Sequence, residues 1–522
     1  MKKQFPIFLI VAALVALVGY FWLVRPLGAD LNIGPRFDWP DETANYFWSK
    51  SYSQTGELTL AEPMNIAAHN QIHPRSFNVR TDGSLVPGSF LGLILLYGTL
   101  AKVFSLSSLI YFTPIFSVLA VLAFYGIVKR IFNERIALIS ALLMLFHPAW
   151  WYYSVTSMLP NVAFVAFLIF SIYFVLKNHH PKLVDVLLGG FFLGISLSIR
   201  PSEIIWVGFI YLVLLAYRRD NLRAKNIILL LVITAAVMAP AIYQQKVIYG
   251  DYLASGYNQL DEITPSCQTC QIVKSVIAPF GFHPQLMAVN FWTHFISRFW
   301  WWSLLAILGL IAFLFQTSKQ RIEVFFYMLI SMFVFAWLGI YYGSWQFTDL
   351  LTVHLNTLGL SYVRYWLPLY ILVLPFVAIG LTWLTNFFKN RVKVLALAVL
   401  IGALLYQSAD LVLVKKPDSI LPVKERILDY RKTAARVFDV VPEDAVIVTV
   451  RKDKVFFPDR RVIHTFDALS VNQELLGILP DLVSQVPVYY YALGPEPEVE
   501  FSNGLKLETV ETIGQEILYQ VK

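Results

Sequence analysis

Apolar runs close to the length that crosses a bilayer recur along most of the chain, which a water-soluble core cannot absorb. They occupy roughly 5–24, 85–104, 109–128, 136–153, 161–176, 183–199, 203–217, 226–244, 295–315, 322–343, 364–385 and 393–413. Only 14% of the 522 residues are charged, where an ordinary soluble protein carries roughly 25%. Residues 420–522 alone hold 28 of the 75 Lys, Arg, Asp and Glu side chains. The chain therefore reads as a membrane body, 1–415, followed by a soluble tail, 420–522. Its net charge of +7 divides into +11 for the body and −4 for the tail. A basic membrane body reports topology and anionic headgroups, and without a phosphate-binding loop or nucleic-acid module DNA and RNA are excluded as partners.

Charge asymmetry orders the runs. The short basic connections are Lys129, Arg130 and Arg135; Lys177 and Lys182; Arg218, Arg219, Arg223 and Lys225; Lys319 and Arg321; and Lys389, Arg391 and Lys393. If 85–104 crosses, all of them fall outside, against the basic bias that sets orientation. If it does not, all fall inside. Residues 85–104, opening with Val86-Pro87-Gly88, are therefore expected to form an interfacial or re-entrant helix. Eleven spans remain, with an uncleaved N-terminal anchor, the N-terminus inside and the tail outside, as in a multi-pass plasma-membrane protein. The outer face then receives the first loop, 25–108, shorter turns near 154–161 and 200–203, loops over 245–294 and 344–363, and the tail. Cys267 and Cys270 lie in one of these loops and read as a local disulfide or two free thiols. The tail reads as a small α/β domain, with an amphipathic helix over 423–440 and strands at 445–450, 486–492 and 516–521.

Three features on the outer face carry chemically useful side chains. The first loop holds Asp38-Trp39-Pro40-Asp41-Glu42, on a helix starting at Pro40. Pro followed by acids is also an ordinary helix start, with Asp38 placed to cap it and Asp41 inside the first turn. Three carboxylates beside lipid headgroups are nonetheless costly without a task. The second is the Gly-rich span 189–199 ending in Arg200-Pro201, and the third is Arg364-Tyr365 at another outer span end. Arginine grips phosphate through a two-pronged hydrogen bond, although interfacial arginines also snorkel to headgroups. His69 and His73 read as loop residues rather than metal ligands. The Trp150-Trp151-Tyr152-Tyr153 and Trp300-Trp301-Trp302 runs read as interfacial aromatic belts.

Taken together, these features resemble the GT-C superfamily of polyprenyl-phosphate-dependent glycosyltransferases, and within it the lipid A aminoarabinose transferase and protein O-mannosyltransferase group. The resemblance rests on the Asp41-Glu42 pair, the Gly-rich span closing on Arg200, the Lys129-Arg130 turn, Tyr249-Gly250-Asp251, the Arg364-Tyr365 span start and the soluble tail. It implies a polytopic α-helical fold with interfacial helices and an inverting transfer of a sugar from a polyprenyl phosphate to a lipid, glycan or protein acceptor. It further implies Asp41 as the base with Glu42 beside it, and Arg200, Arg364, Tyr365, Asn161 and Asp38 as substrate-binding residues. Asn161 stands where the family frequently has an acid, and it can orient a group but cannot take a proton. No cofactor is implied, although a divalent cation is compatible. The competing readings are a lipid-linked glycan flippase, for which no paired repeat is visible, and a non-catalytic lipid-binding scaffold.

Overall fold

The computed structural model describes residues 6–28, 31, 33–219, 222–257, 279–315, 322–346, 357–495 and 504–522. Cys267, Cys270, Lys319 and Arg321 lie outside the described residues. The chain divides into two units, one formed by 1–24, 110–242 and 260–422 and the other by 25–109, 243–259 and 423–522.

The first unit contains the long apolar helices. Eight helices in the described chain are long and apolar enough to cross a membrane: Ile7–Val24, Leu106–Ile131, Pro160–Lys177, Pro201–Arg218, Ala224–Tyr249, Ile322–Tyr341, Leu367–Thr385 and Arg391–Leu413. Two bent pairs raise the number to 10 if each is one span: Glu134–Phe146 with Pro148–Val155, at 51°, and Pro284–Ser297 with Trp300–Leu314, at 91°. Leu183–Ile199, at 17 residues, is a shorter apolar helix. The expected eleven spans exceed these eight to ten, because they also include this shorter helix. Each bend has a local cause. Pro148 forces His147 into an extended conformation (ψ 126°), because the residue before a proline is kept out of the helical region. In the second pair Trp292–Ser297 winds as a π-helix before the break, a common site of kinking.

Small residues set the closest approaches in this unit. A Cβ added at Gly309 would sit 1.7 Å from the Phe376 carbonyl oxygen, and one at Gly380 would sit 2.4 Å from that of Leu305. The Trp300–Leu314 and Leu367–Thr385 helices therefore pack backbone to backbone, as glycine-lined membrane helices do. In the Gly-rich span, Gly190 and Gly194 likewise face the Leu230 and Thr234 carbonyl oxygens, at 2.7 and 2.8 Å from an added Cβ.

In the second unit the helix Pro40–Gln54 packs on Gly92–Val103. Strands β1 (Phe77–Val79) and β2 (Leu85–Pro87) form an antiparallel pair. Residues 85–104 are therefore not one helix: β2 opens the segment, and the following helix has 12 residues. At 1.5 Å per residue it reaches about 18 Å, well short of a hydrocarbon core of about 30 Å. Gly88 lets the backbone turn between them, since a Cβ there would meet the Ser76 carbonyl oxygen at 2.6 Å.

The tail supplies β3 (Val446–Val450), β4 (Arg461–Thr465), β5 (Val488–Ala492), β6 (Leu507–Ile513) and β7 (Glu516–Val521), in the order β4-β3-β5-β7-β6. The first three run parallel, while β7 is antiparallel to β5 and β6. The helices Ile420–Val440 and Gln473–Val483 accompany them. The expected helix and three strands are present, and β4, β6 and the second helix are additional. The tail does not stand as a separate domain, because it shares a core with the first loop. Trp48, Phe77, Leu85 and Ile94 pack in one cluster with Ala434, Ile447, Phe456 and Tyr491. Within it Phe47, Phe77 and Phe457 meet at tilted or edge-to-face angles with centroids 4.9–5.6 Å apart.

Candidate functional site

The acids and the arginines singled out from the sequence fall into different units. In the second unit the helix starts at Pro40 as expected, with Asp41 and Glu42 in its first turn, but the N-cap residue is Trp39 and no side chain caps it. Asp38 is not the cap, because stronger partners hold its carboxylate. Arg426 donates from Nε at 2.9 Å and from Nη2 at 2.6 Å, and Lys454 Nζ lies 3.7 Å away. Burial pushes the Asp38 carboxyl up, and the Lys454 and Arg426 cations outweigh it and hold the group below the usual carboxylate range.

Asp41 is half-buried, and its Oδ1 accepts a hydrogen bond from Ser76 Oγ at 2.7 Å. Glu42, rotated about 100° around the helix, is buried at 5% exposure. Ser76 adopts a left-handed backbone (φ 65°), a conformation that costs a serine energy and is held by its surroundings. The holding contact is next to it. Asp453 accepts from the Arg75 backbone N at 2.8 Å and from Arg75 Nε at 2.9 Å, and is itself fully buried. Neither Ser76 nor Asp453 stood out in the sequence. The one signal was a serine after Pro74-Arg75 in a polar stretch, which marks a turn and nothing more.

His73 pairs with His464 rather than with His69, their rings 5.2 Å apart. Burial lowers both, and His464, with His73 beside it, is pushed down to about 4. Among the described residues no group of three or more His, Cys, Asp or Glu is placed to hold a metal ion.

In the first unit the sequence places Arg200 at the C-terminal end of Leu183–Ile199 because Pro201 stops that helix. Its side chain turns back to Glu203 one turn later, donating to Glu203 Oε1 from Nε at 3.0 Å and Nη2 at 2.8 Å. Arg200 Nη2 also donates to the Tyr342 hydroxyl at 2.7 Å, and Tyr342 in turn donates to Glu203. Trp206 Nε1 completes the shell of Glu203 at 2.5 Å. Arg200 and Glu203 are buried, at 6% and 4% exposure.

Arg364 and Tyr365 join this cluster. The Arg200 guanidinium lies 4.8 Å from the Tyr365 ring centroid and that of Arg364 lies 5.1 Å from it. Tyr342 stacks on the same ring, centroids 4.5 Å apart and planes 5° apart. Three of the expected substrate-binding residues are thus brought together, with Glu203 and Tyr342 added. Two guanidiniums thus share one tyrosine ring in a largely dehydrated cluster, and a guanidinium is the side chain that grips a phosphate by two parallel hydrogen bonds.

Comparison with known proteins adds the fold's relatives. Residues 91–243 match the family model described as dolichyl-phosphate-mannose-protein mannosyltransferase. That segment includes Arg200 and Asn161 and leaves out Asp41 and Arg364. Among solved structures the chain is similar to ArnT from Cupriavidus metallidurans bound to undecaprenyl phosphate, with TM-score 0.53, 12% identity and 98% of each chain covered. The apo form of that protein gives TM-score 0.54 at 12% identity, covering 98% of this chain and 97% of that one. The oligosaccharyltransferase AglB from Archaeoglobus fulgidus, in complex with an inhibitory peptide and a dolichol-phosphate, gives TM-score 0.50 at 13% identity, over 95% of this chain and 70% of that one. The chain shares the GT-C fold of these structures. No curated protein sequence matches it.

Within this GT-C fold Asn161 follows the Pro160 that starts its helix and is 3% exposed. Its Oδ1 is buried without a hydrogen-bond partner among the described residues. An unmet acceptor of this kind is costly.

Proposed function

We propose that this GT-C chain is an inverting glycosyltransferase that moves a sugar from a polyprenyl-phosphate donor to an acceptor at the outer face of the plasma membrane. The observation that carries the reading is the pair of buried guanidiniums, Arg200 and Arg364, on the Tyr365 ring. A sugar held through a lipid phosphate departs readily once cations neutralise the charge that develops on the phosphate oxygens. Glu203 holds Arg200 in a single orientation, so little rearrangement is needed when that charge appears. Asp41, ionised near a helix N-terminus, takes the proton from the acceptor hydroxyl or amine as it attacks the anomeric carbon. Ser76 orients the Asp41 carboxylate through Oδ1. A single displacement of this kind inverts the anomeric centre. The acceptor is a lipid, a glycan or a protein. The solved ArnT holding undecaprenyl phosphate supports a donor carried on a polyprenyl chain.

The test is incubation of the purified full-length protein with a panel of labelled polyprenyl-phosphate sugars. We expect one donor to be consumed with release of the lipid phosphate. Arg200→Ala and Arg364→Ala should weaken donor binding, with Lys restoring it only in part because an ammonium lacks the planar fork. Asp41→Asn should lower transfer by roughly 100-fold or more while donor binding persists. Unchanged donor affinity in both alanine variants together with full turnover by Asp41→Asn would defeat the assignment.

A further inference from the structure

Away from the Arg200 cluster, the first unit contains a cavity of about 120 Å³ that the proposed reaction does not use. Its wall is almost wholly hydrocarbon, with Ile127, Ile169, Ile210, Ile330 and Leu372 contributing from five different helices. The volume is comparable to the engineered apolar cavity of roughly 150 Å³ that stays dry and takes up benzene. A polar ligand would lose its hydrogen bonds there, whereas a stretch of hydrocarbon chain loses nothing.

Polar groups enter only where the helices meet the basic turns. Arg130, Tyr217 and Glu323 line that part of the cavity. The Tyr217 hydroxyl donates to Glu323 Oε1 at 2.9 Å, and Arg130 shares the same hydroxyl. Arg218 follows directly and is 1% exposed, with Nη2 donating to the Asn178 and His179 carbonyl oxygens. These oxygens are neutral, and among the described residues no carboxylate pairs with Arg218. Arg130 and Arg218 are close enough to repel each other, and the Nε of each is buried without a hydrogen-bond partner among the described residues. Lys129 and Glu134 neutralise each other at 3.0 Å. Arg130 thus lines this end of the apolar cavity with Arg218 close beside it, and among the described residues these two guanidiniums stand against the one carboxylate of Glu323; such basic pockets between membrane helices suit anionic headgroups.

We infer that this cavity is a structural lipid site: it takes an acyl chain of an anionic glycerophospholipid from the leaflet beside the basic turns, with the lipid phosphate on Arg130 and the nearby Arg218 adding to the positive field there. The site is separate from the proposed donor site and stands whether or not the transferase reading holds.

Native mass spectrometry of the full-length protein, exchanged into detergent with phosphatidylglycerol and phosphatidylcholine of matched chains, tests it. Wild type should retain phosphatidylglycerol at least tenfold over phosphatidylcholine. Arg130→Ala, a partly exposed position whose loss leaves the fold intact, should abolish that preference. Ile330→Trp, which fills the cavity, should remove both lipids at an unchanged melting temperature. Equal retention of the two lipids by wild type, or unchanged phosphatidylglycerol retention by Arg130→Ala, overturns the inference. Displacement of phosphatidylglycerol by stoichiometric undecaprenyl phosphate also overturns it, because the cavity would then serve the tail of a prenyl carrier.

Discussion

Asp38 and Asp41 sit three positions apart with different partners, and replacing each should have a different consequence. Removing the Asp38 charge leaves the largely buried Lys454 with Asp453 as its remaining counter-charge. Asp38→Asn should therefore destabilise the second unit by about 3 kcal/mol, rather than by the ~1 kcal/mol of a lost helix cap, and thermal unfolding in detergent would measure the difference. Acid should act through the histidines first. His464 titrates at about 4 in the folded protein and at about 6.5 when unfolded. Between these values the unfolded chain binds a proton that the folded chain does not, so stability falls as pH drops from 6.5 towards 4. Asp38 and Asp453, with lowered folded values, add a second loss only below about pH 4. A melting temperature that stays flat from pH 7 to 4 would contradict this account. At this scale Arg200, Arg364 and Tyr365 were legible, because a cation at an apolar span end is conspicuous without its partners. The Asp38 pairing with Arg426 and Lys454 was not, because side chains that meet across almost the whole sequence leave no periodic mark on it.

The helices were read correctly wherever a long apolar run was enough, and misread where backbone geometry decided. All eleven runs kept as spans are helical in the structure, but the 51° and 91° bends came from a proline and a π-turn that hydrophobicity does not report. Strand β6 was missed because most of its residues are exposed, so it lacks the alternation that marks a half-buried strand. The glycine contacts give a test of packing at this scale. Gly309→Ala places a methyl group against the Phe376 backbone and should cost about 3 kcal/mol. Gly208→Ala, where an added Cβ meets nothing within 4 Å, should leave the melting temperature unchanged or slightly higher. Equal effects from the two substitutions would mean that the helices separate freely and that the close approach does not hold them.

For the whole molecule, the basic turns predict the sidedness. After replacement of Cys267 and Cys270 by Ser, single cysteines introduced at Leu60 and Ser470 should react with an impermeant reagent in intact cells, and one at Asn221 should not. Modification of the Asn221 position from outside would reverse the threading. The membrane body was legible from composition, since a charge-poor, apolar-rich sequence has few alternatives. The make-up of the second unit was not, because hydropathy divides a chain only at contiguous boundaries and this unit is assembled from 25–109, 243–259 and 423–522. That assembly has a consequence for biosynthesis. Trp48 and Phe77 share their core with Ala434 and Tyr491, which leave the ribosome more than 300 residues later. At roughly 5–20 residues per second, the first loop waits on the order of 15–60 s with its aromatic face uncovered. Over that interval its survival depends on what shields it, and a chain that stops before the tail leaves that face without its core partners.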